Sequence, residues 1–134
     1  MTTQGASVHA SAVLVGDRAV LIRGPSGAGK SRLAFDLILA GRAGQLPPAI
    51  LVGDDRVHLD TVAGELWVRP ARELAGLIEI RGLGIRRCDF AIEAIVGIVV
   101  DLAASDAEWL RRKPKWSHAL HRPVSFALVW QKAT

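Results

Sequence analysis

The stretch that decides the fold reads Gly24-Pro25-Ser26-Gly27-Ala28-Gly29-Lys30-Ser31. It matches G-x-x-x-x-G-K-[ST], a loop whose backbone N–H groups surround the phosphates of a nucleotide. Glycines are needed because side chains would block the approach of the backbone to the phosphates. In this pattern Lys30 faces the β and γ phosphates, and the Ser31 hydroxyl ligates Mg²⁺. The stretch therefore predicts a protein that binds ATP or GTP together with magnesium.

The flanks of this loop have the pattern that a phosphate cradle requires. Before it, residues 8–15 and 18–23 read as two strands joined across Gly16-Asp17, which predicts a hairpin. After it, apolar residues at helical spacing predict a helix over about residues 30–40, with Gly41 as its C-terminal cap. The start of that helix adds the positive end of its dipole to the phosphate site.

The pair Asp54-Asp55 is a second candidate feature, and it follows the apolar run 49–52. Carboxylates at the end of a buried strand of a P-loop protein point at the phosphates, where an aspartate holds Mg²⁺ directly or through water. Two adjacent carboxylates suggest that one serves the metal and the other acts as a general base. An Asp-Asp turn that merely ends a strand fits the same spacing, so the pattern alone leaves both interpretations open.

The rest of the chain predicts further short strands with little helix. The predicted elements are a hairpin of 57–60 and 66–68 around Ala63-Gly64, one or two helical turns over 71–76, an extended segment at 77–81, a strand at 95–102, a helix at 106–112 and a strand at 124–130. Hairpins and crossovers occur together, so we expect one α/β domain over residues 1–134 with a mixed central sheet.

The composition limits the partners and the compartment. The chain has 134 residues, of which 50% are hydrophobic, and a formal net charge of +4. Its basic residues are scattered and its tryptophans lie far apart, so we expect no nucleic-acid partner. The single cysteine, Cys88, excludes an internal disulfide and favours a reducing compartment. We see no secretory leader and no stretch long enough to span a bilayer, and we expect a cytoplasmic protein without a membrane partner.

The order of the motifs resembles that of the catalytic domain of the bacterial HPr kinase/phosphorylase family. His9 precedes the cradle, Gly53-Asp54-Asp55-Arg56-Val57 follows it, and Glu79-Ile80-Arg81-Gly82-Leu83-Gly84-Ile85 comes last. The last segment looks like the signature of that family, and the resemblance covers about residues 8–102. It implies a P-loop fold related to phosphoenolpyruvate carboxykinase. It also implies a kinase that uses ATP and Mg²⁺ to phosphorylate a serine of an HPr-type phosphocarrier.

The resemblance implies a role for each matching residue. Asp54 would accept the proton of the substrate serine, while Lys30 and the rest of the cradle bind the phosphates. The metal-side residues would be Ser31, Asp55 and Glu79. His9 matches the family histidine that sits against the catalytic aspartate, where an imidazole tunes and orients the carboxylate. The residues alone leave His9 open, because a histidine in an apolar strand is more often a core residue.

The chain departs from the family pattern in three places. Only a short stretch precedes His9, so we expect a short form without the separate N-terminal domain. Segment 85–98 is shorter than the family pattern leads us to expect. In the family this stretch holds a mobile loop, whose basic residue serves the reverse, phosphorylase reaction, so we expect the kinase direction with weak or no phosphorylase activity. Beyond Leu102 the likeness fades, and the basic stretch 111–122 fits a solvated surface or a contact with the phosphocarrier. The family forms hexamers, which leaves homo-oligomerisation open for this chain.

Two other functions fit the same residues. A nucleotide-sensing regulator would bind ATP and a partner but transfer nothing, which suits the shortened segment. A different P-loop phosphotransferase or NTPase would act on a small molecule, because the cradle and the aspartate pair alone permit it.

The cradle assignment predicts that Lys30→Ala loses nucleotide binding and any phosphotransfer activity together. The reason is that the ammonium group contacts the phosphates both in the bound nucleotide and in the transition state of transfer. Titration calorimetry with Mg²⁺ and ATP measures the binding. Nucleotide affinity close to that of the wild type would contradict the assignment.

Overall fold

The computed structural model of the chain describes residues 6–102. The predicted helix at 106–112, the predicted strand at 124–130 and the basic stretch 111–122 lie outside these residues. The described elements are β1 (Ala6–Val8), β2 (Ser11–Val15), β3 (Arg18–Arg23), α1 (Lys30–Arg42), β4 (Ala49–Gly53), β5 (Val57–Val62), β6 (Glu65–Pro70), a 3₁₀ turn (Arg72–Leu74), β7 (Leu77–Ile80), β8 (Gly84–Arg87) and β9 (Ala94–Asp101).

Seven of these strands form one mixed sheet, in the order β1-β5-β6-β9-β3-β2-β4. Strands β3 and β9 are parallel, and the other neighbouring pairs are antiparallel. Strands β7 and β8 pair with each other in a separate hairpin. The described residues thus form the single α/β domain with a mixed sheet that the sequence predicts.

The chain path shows that the sheet is strongly curled. Strands β1 and β2 hold the first and sixth positions in the sheet. Five spacings of about 4.8 Å would separate them by roughly 24 Å in a flat sheet. Only His9 and Ala10 connect these strands, and three residue steps span at most about 11 Å. The sheet therefore wraps round, and its two edges approach each other where His9-Ala10 and the segment Asp54-Asp55-Arg56 cross between them.

Apolar side chains pack on both faces of the curled sheet. One cluster includes Leu33, Ala34 and Ile38 of α1 and lies between the helix and the sheet. The second cluster takes side chains from the opposite face of β2, β3, β4 and β9, and adds side chains from β5 and β6. Leu21 and Ile22 are neighbours in sequence but belong to different clusters, because successive side chains of a strand point to opposite faces. The central strands are apolar on both faces for this reason.

The structure confirms most of the predicted elements and corrects the end of the helix. Strand β3 has the predicted bounds, and both predicted hairpins form. The prediction of Gly41 as the helix cap is wrong, because α1 continues to Arg42 and Ala43 is its C-cap. A Cβ at Gly41 would come within 2.8 Å of Ala49. Gly41 thus allows α1 to pack closely against β4 instead of ending the helix.

Two further details differ from the sequence-based expectation. The predicted strand 8–15 is interrupted at His9-Ala10, where the chain passes from β1 at one edge of the sheet to β2, the strand next to the opposite edge. Strand β8 was not predicted, because all four of its residues are exposed and show no apolar alternation. Within residues 6–102, no helix combines the length and the apolar character that crossing a membrane requires.

The central position of β3 predicts a large cost for truncating Leu21, which is 0% exposed. Leu21→Ala should lower the free energy of unfolding by about 3 kcal/mol, because it removes buried methyl groups and leaves a cavity. Leu39 on α1 is 42% exposed, and the matched Leu39→Ala should cost less than about 1 kcal/mol. Urea unfolding followed by circular dichroism measures both values. Equal losses would contradict the assignment of the core.

Candidate active site

The loop between β3 and α1 leaves an open, uncapped helix start. Gly27 and Gly29 have φ angles of 84° and 100°, and no heavy atom lies within 4 Å of a Cβ built on either residue. Gly29 is also the N-cap of α1, whose start has no side-chain cap and no acidic residue in its first turn. Helix N-termini carry backbone N–H groups that need external acceptors and attract anions. The loop therefore fits the predicted phosphate.

Lys30 lies back across this loop. Its Nζ donates hydrogen bonds to the carbonyl oxygens of Gly24 at 2.8 Å and of Pro25 at 3.2 Å. These acceptors are neutral, so they hold the ammonium group without cancelling its charge. An anion that enters the loop would gain a charge-assisted hydrogen bond from Lys30.

Asp54 lies where three parts of the fold meet, and it is only 4% exposed. Its Oδ1 accepts hydrogen bonds from the hydroxyls of Ser11 and Ser31, each at 2.7 Å. Its Oδ2 accepts a hydrogen bond from the backbone N–H of Glu79 at 3.0 Å. The side chain thus accepts from three donors, the pattern that suits a carboxylate. Asp54 joins the phosphate loop, strand β2 and strand β7 to one another.

The bond between Ser31 and Asp54 suits the predicted metal. Because the Ser31 hydroxyl donates a hydrogen bond to Asp54, the lone pairs of the Ser31 oxygen remain available to a cation. Mg²⁺ in nucleotide sites is held by few protein oxygens, with phosphate oxygens and water as the other ligands. Within residues 6–102, no group of three or more His, Cys, Asp or Glu side chains is arranged to hold a metal ion. The donors present fit a magnesium ion that arrives with a nucleotide.

The other predicted residues surround this centre in different ways. Asp55 is exposed with φ 69°, and its backbone N–H donates to Ser11 Oγ at 3.4 Å. Glu79 reaches Asp54 through its backbone, while the residue itself is exposed. His9 is exposed, and its Nε2 lies 3.1 Å from Nη2 of Arg56. Since a guanidinium group has no acceptor, Arg56 is the donor and His9 the acceptor.

Two residues of this region were missed by the sequence analysis. Ser11 is fully buried and contacts both members of the aspartate pair. Its signal in the sequence is a hydroxyl in an otherwise apolar strand, which has to find a partner when it is buried. Arg56, which follows the aspartate pair, donates a hydrogen bond to Ser7 at 2.9 Å as well as one to His9. It thereby connects the segment after β4 to β1. Arg56 belongs to the motif Gly53-Asp54-Asp55-Arg56-Val57, but no role was assigned to it there.

Comparison with known proteins identifies one family. The model of the HPr Serine kinase C-terminal domain matches residues 1–101. The HPr kinase/phosphorylase of Streptococcus thermophilus (strain ATCC BAA-491 / LMD-9) is 45% identical over 80 residues, which are 59% of this chain and 24% of that protein. The corresponding protein of Mycoplasma mycoides subsp. mycoides SC is 39% identical over 80 residues, or 60% of this chain and 23% of the relative. This chain spans about a quarter of the length of these curated relatives.

A solved structure supports the same relationship. The HPr(Ser) kinase/phosphatase from Coxiella burnetii aligns with a TM-score of 0.62 and 25% sequence identity, over 72% of this chain and 64% of that one. The expected fold class and the resemblance noted from the sequence motifs are therefore both confirmed.

The sole cysteine provides a test of the packing near this site. Burial raises the pKa of the Cys88 thiol, the Arg42 guanidinium lowers it, and the carboxylates of Asp89 and Asp54 raise it. We expect Cys88 to react with iodoacetamide more slowly at pH 8 than in the urea-unfolded chain, because only the thiolate is nucleophilic. The pH midpoint of the reaction should fall in Asp89→Asn, which removes a negative charge. A rate equal to that of the unfolded chain would contradict the burial of Cys88.

Proposed function

Since this chain belongs to the HPr serine kinase C-terminal domain family, we propose that it transfers the γ-phosphoryl group of ATP to a serine of an HPr-type phosphocarrier in the cytoplasm. The observation that carries the proposal is the 2.7 Å hydrogen bond between Ser31 and Asp54. It joins a phosphate-binding loop to a buried carboxylate, the two parts that phosphoryl transfer to a hydroxyl requires. The names of the relatives supply the class of acceptor.

In the proposed reaction, a serine hydroxyl of the phosphocarrier attacks the γ-phosphorus in line with the leaving oxygen. Lys30 and the N–H groups at the start of α1 stabilise the charge on the phosphate oxygens. Asp54 accepts the hydroxyl proton as general base. The family resemblance assigns His9 the role of orienting the acidic pair, and His9 accepts a hydrogen bond from Arg56, the residue that follows the pair. These residues bind and orient the two substrates, and the phosphoryl group passes directly between them.

Magnesium, when bound, neutralises charge on the phosphate oxygens. The residues that would hold it are Ser31, Asp55 and Glu79. Ser31 contributes the lone pairs that its bond to Asp54 leaves unused. The exposed Asp55 and Glu79 contribute carboxylates accessible from solvent. Asp54 is hydrogen-bonded to the same Ser31 hydroxyl. The residue proposed as general base is thus in direct contact with a residue proposed to hold the metal.

The proposal predicts that Asp54→Asn retains nucleotide binding but loses transfer by about 10²–10⁴-fold, because the amide cannot accept the proton. Added Mg²⁺ should not restore the rate. Asp55→Asn should raise the Mg²⁺ concentration for half-maximal transfer and recover much of the rate when Mg²⁺ is saturating. The assay uses labelled ATP, Mg²⁺ and the phosphocarriers of the host, with phosphoserine as the product measured.

Asp60→Asn provides a matched control, because Asp60 pairs with Arg69 on the neighbouring strand and lies outside the site. Its transfer rate should stay within about twofold of the wild type. Folded wild-type protein that phosphorylates no phosphocarrier would overturn the proposal. Binding and a cellular effect that both persist in Asp54→Asn would favour the nucleotide-sensing alternative. Transfer to a metabolite alone would favour a small-molecule phosphotransferase.

A further inference from the structure

Ser11 and Asp54 are the two polar residues that are buried within residues 6–102, at 0% and 4% exposure. Their side chains are hydrogen-bonded to each other at 2.7 Å. A buried hydroxyl is costly unless it is paired, and a buried carboxylate more so. The two groups therefore depend on each other, although 43 positions separate them in the chain.

The strand order explains why Ser11 occupies this point. Strand β2 lies between β3, which leads into the phosphate loop, and β4, which leads into the aspartates. Because β2 is antiparallel to both, its first residue lies at the rim where the other two strands end. Ser11 is that first residue. The register between β2 and β4 shifts between Ala12 and Val13, and such irregularities re-aim nearby side chains.

The hydrogen bonds of Ser11 decide which oxygen of Asp54 is available. A carboxylate oxygen has about two acceptor positions. On Oδ1 the hydroxyls of Ser11 and Ser31 fill both of them. On Oδ2 the Glu79 N–H fills one, which leaves one position on this oxygen. Without Ser11, Oδ1 would keep only the Ser31 hydroxyl, so each oxygen would have one donor and one unused position, and Oδ2 would no longer be the one oxygen with room for a further donor.

Ser11 also contacts the second aspartate. Its oxygen accepts the backbone N–H of Asp55, whose φ of 69° is uncommon for a residue with a side chain. One hydroxyl thus acts as donor to one aspartate and as acceptor from the next. Alanine or valine at this position would supply neither bond.

We propose that Ser11 is a positioning residue for phosphoryl transfer, which directs Oδ2 of Asp54 toward the reacting hydroxyl and holds the backbone of Asp55. The effect on transfer rests on the proposed function. The effect on Mg²⁺-dependent nucleotide binding does not, because Ser31 and Asp55 meet the metal before any acceptor is present.

The test compares Ser11→Ala, Ser11→Thr and Val13→Ala. Ser11→Ala should lower kcat about tenfold or more, the expected scale for losing a hydrogen bond to a charged group, with the KM for ATP changed less than about twofold. Ser11→Thr restores the hydroxyl and should recover most of kcat. Val13 is fully buried on the same strand, so Val13→Ala reports what a loss of stability alone does, and its kcat should match the wild type.

A second measurement separates failure of this inference from failure of the proposed function. Calorimetry of ATP binding at increasing Mg²⁺ requires no acceptor protein. Ser11→Ala should raise the Mg²⁺ concentration for half-maximal binding about fivefold or more, while Val13→Ala leaves it unchanged. If the wild type transfers nothing but this shift occurs, the proposed acceptor is wrong and Ser11 still positions the acidic pair. Unchanged Mg²⁺ dependence in Ser11→Ala, or the same change in Val13→Ala, would overturn the inference.

Discussion

The hydrogen bonds required by one buried carboxylate connect the parts of this domain that contain the candidate site residues. Asp54 is almost fully buried, and its hydrogen bonds come from β2, from the start of α1 and from β7. An unpaired carboxylate in this position would be strongly destabilising. Moving any of these three elements away from Asp54 would therefore lower the stability of the domain. The constraint that stabilises the fold is also the one that brings the phosphate loop against the acidic pair.

The curl of the sheet brings the phosphate loop and the acidic pair close together. In a flat sheet of this order, the strand before His9 and the strand after it would be far apart, yet two residues join them. The same wrapping brings Asp54-Asp55-Arg56, which link β4 to β5, to the place where the two edges approach. His9 and the aspartate pair thus lie in segments that cross between the two ends of the curled sheet. The hydrogen bond from Arg56 to His9 joins these two crossing segments.

Charge is distributed unevenly across the site, which suits the binding of a nucleotide. On one side, Lys30 donates to the carbonyl oxygens of Gly24 and Pro25, and among residues 6–102 no side chain caps the helix start, so this part of the site has positive potential. On the other side, the buried carboxylate of Asp54 accepts hydrogen bonds from three neutral donors. Ser31 lies between the two sides and connects them through one hydroxyl. The chain belongs to the HPr serine kinase C-terminal domain family, and this separation of charge is the physical basis on which we propose phosphoryl transfer.

The sequence by itself determined the features that depend on neighbours along the chain. Gly24 to Ser31 predicted the loop and the helix after it, because glycine spacing and apolar periodicity are local, and two-residue turns predicted both hairpins. Tertiary structure alone decided the strand order and the partners of Asp54, because these depend on residues far apart in sequence. Tertiary packing also explains why α1 continues past Gly41. Because glycine has no side chain, the helix can contact Ala49 closely at this point. Ser11 illustrates this division between sequence and tertiary structure. A serine in an apolar strand indicates a buried hydroxyl that needs a hydrogen-bond partner. Only the packing of β2 between β3 and β4 shows that this partner is the Asp54 carboxylate.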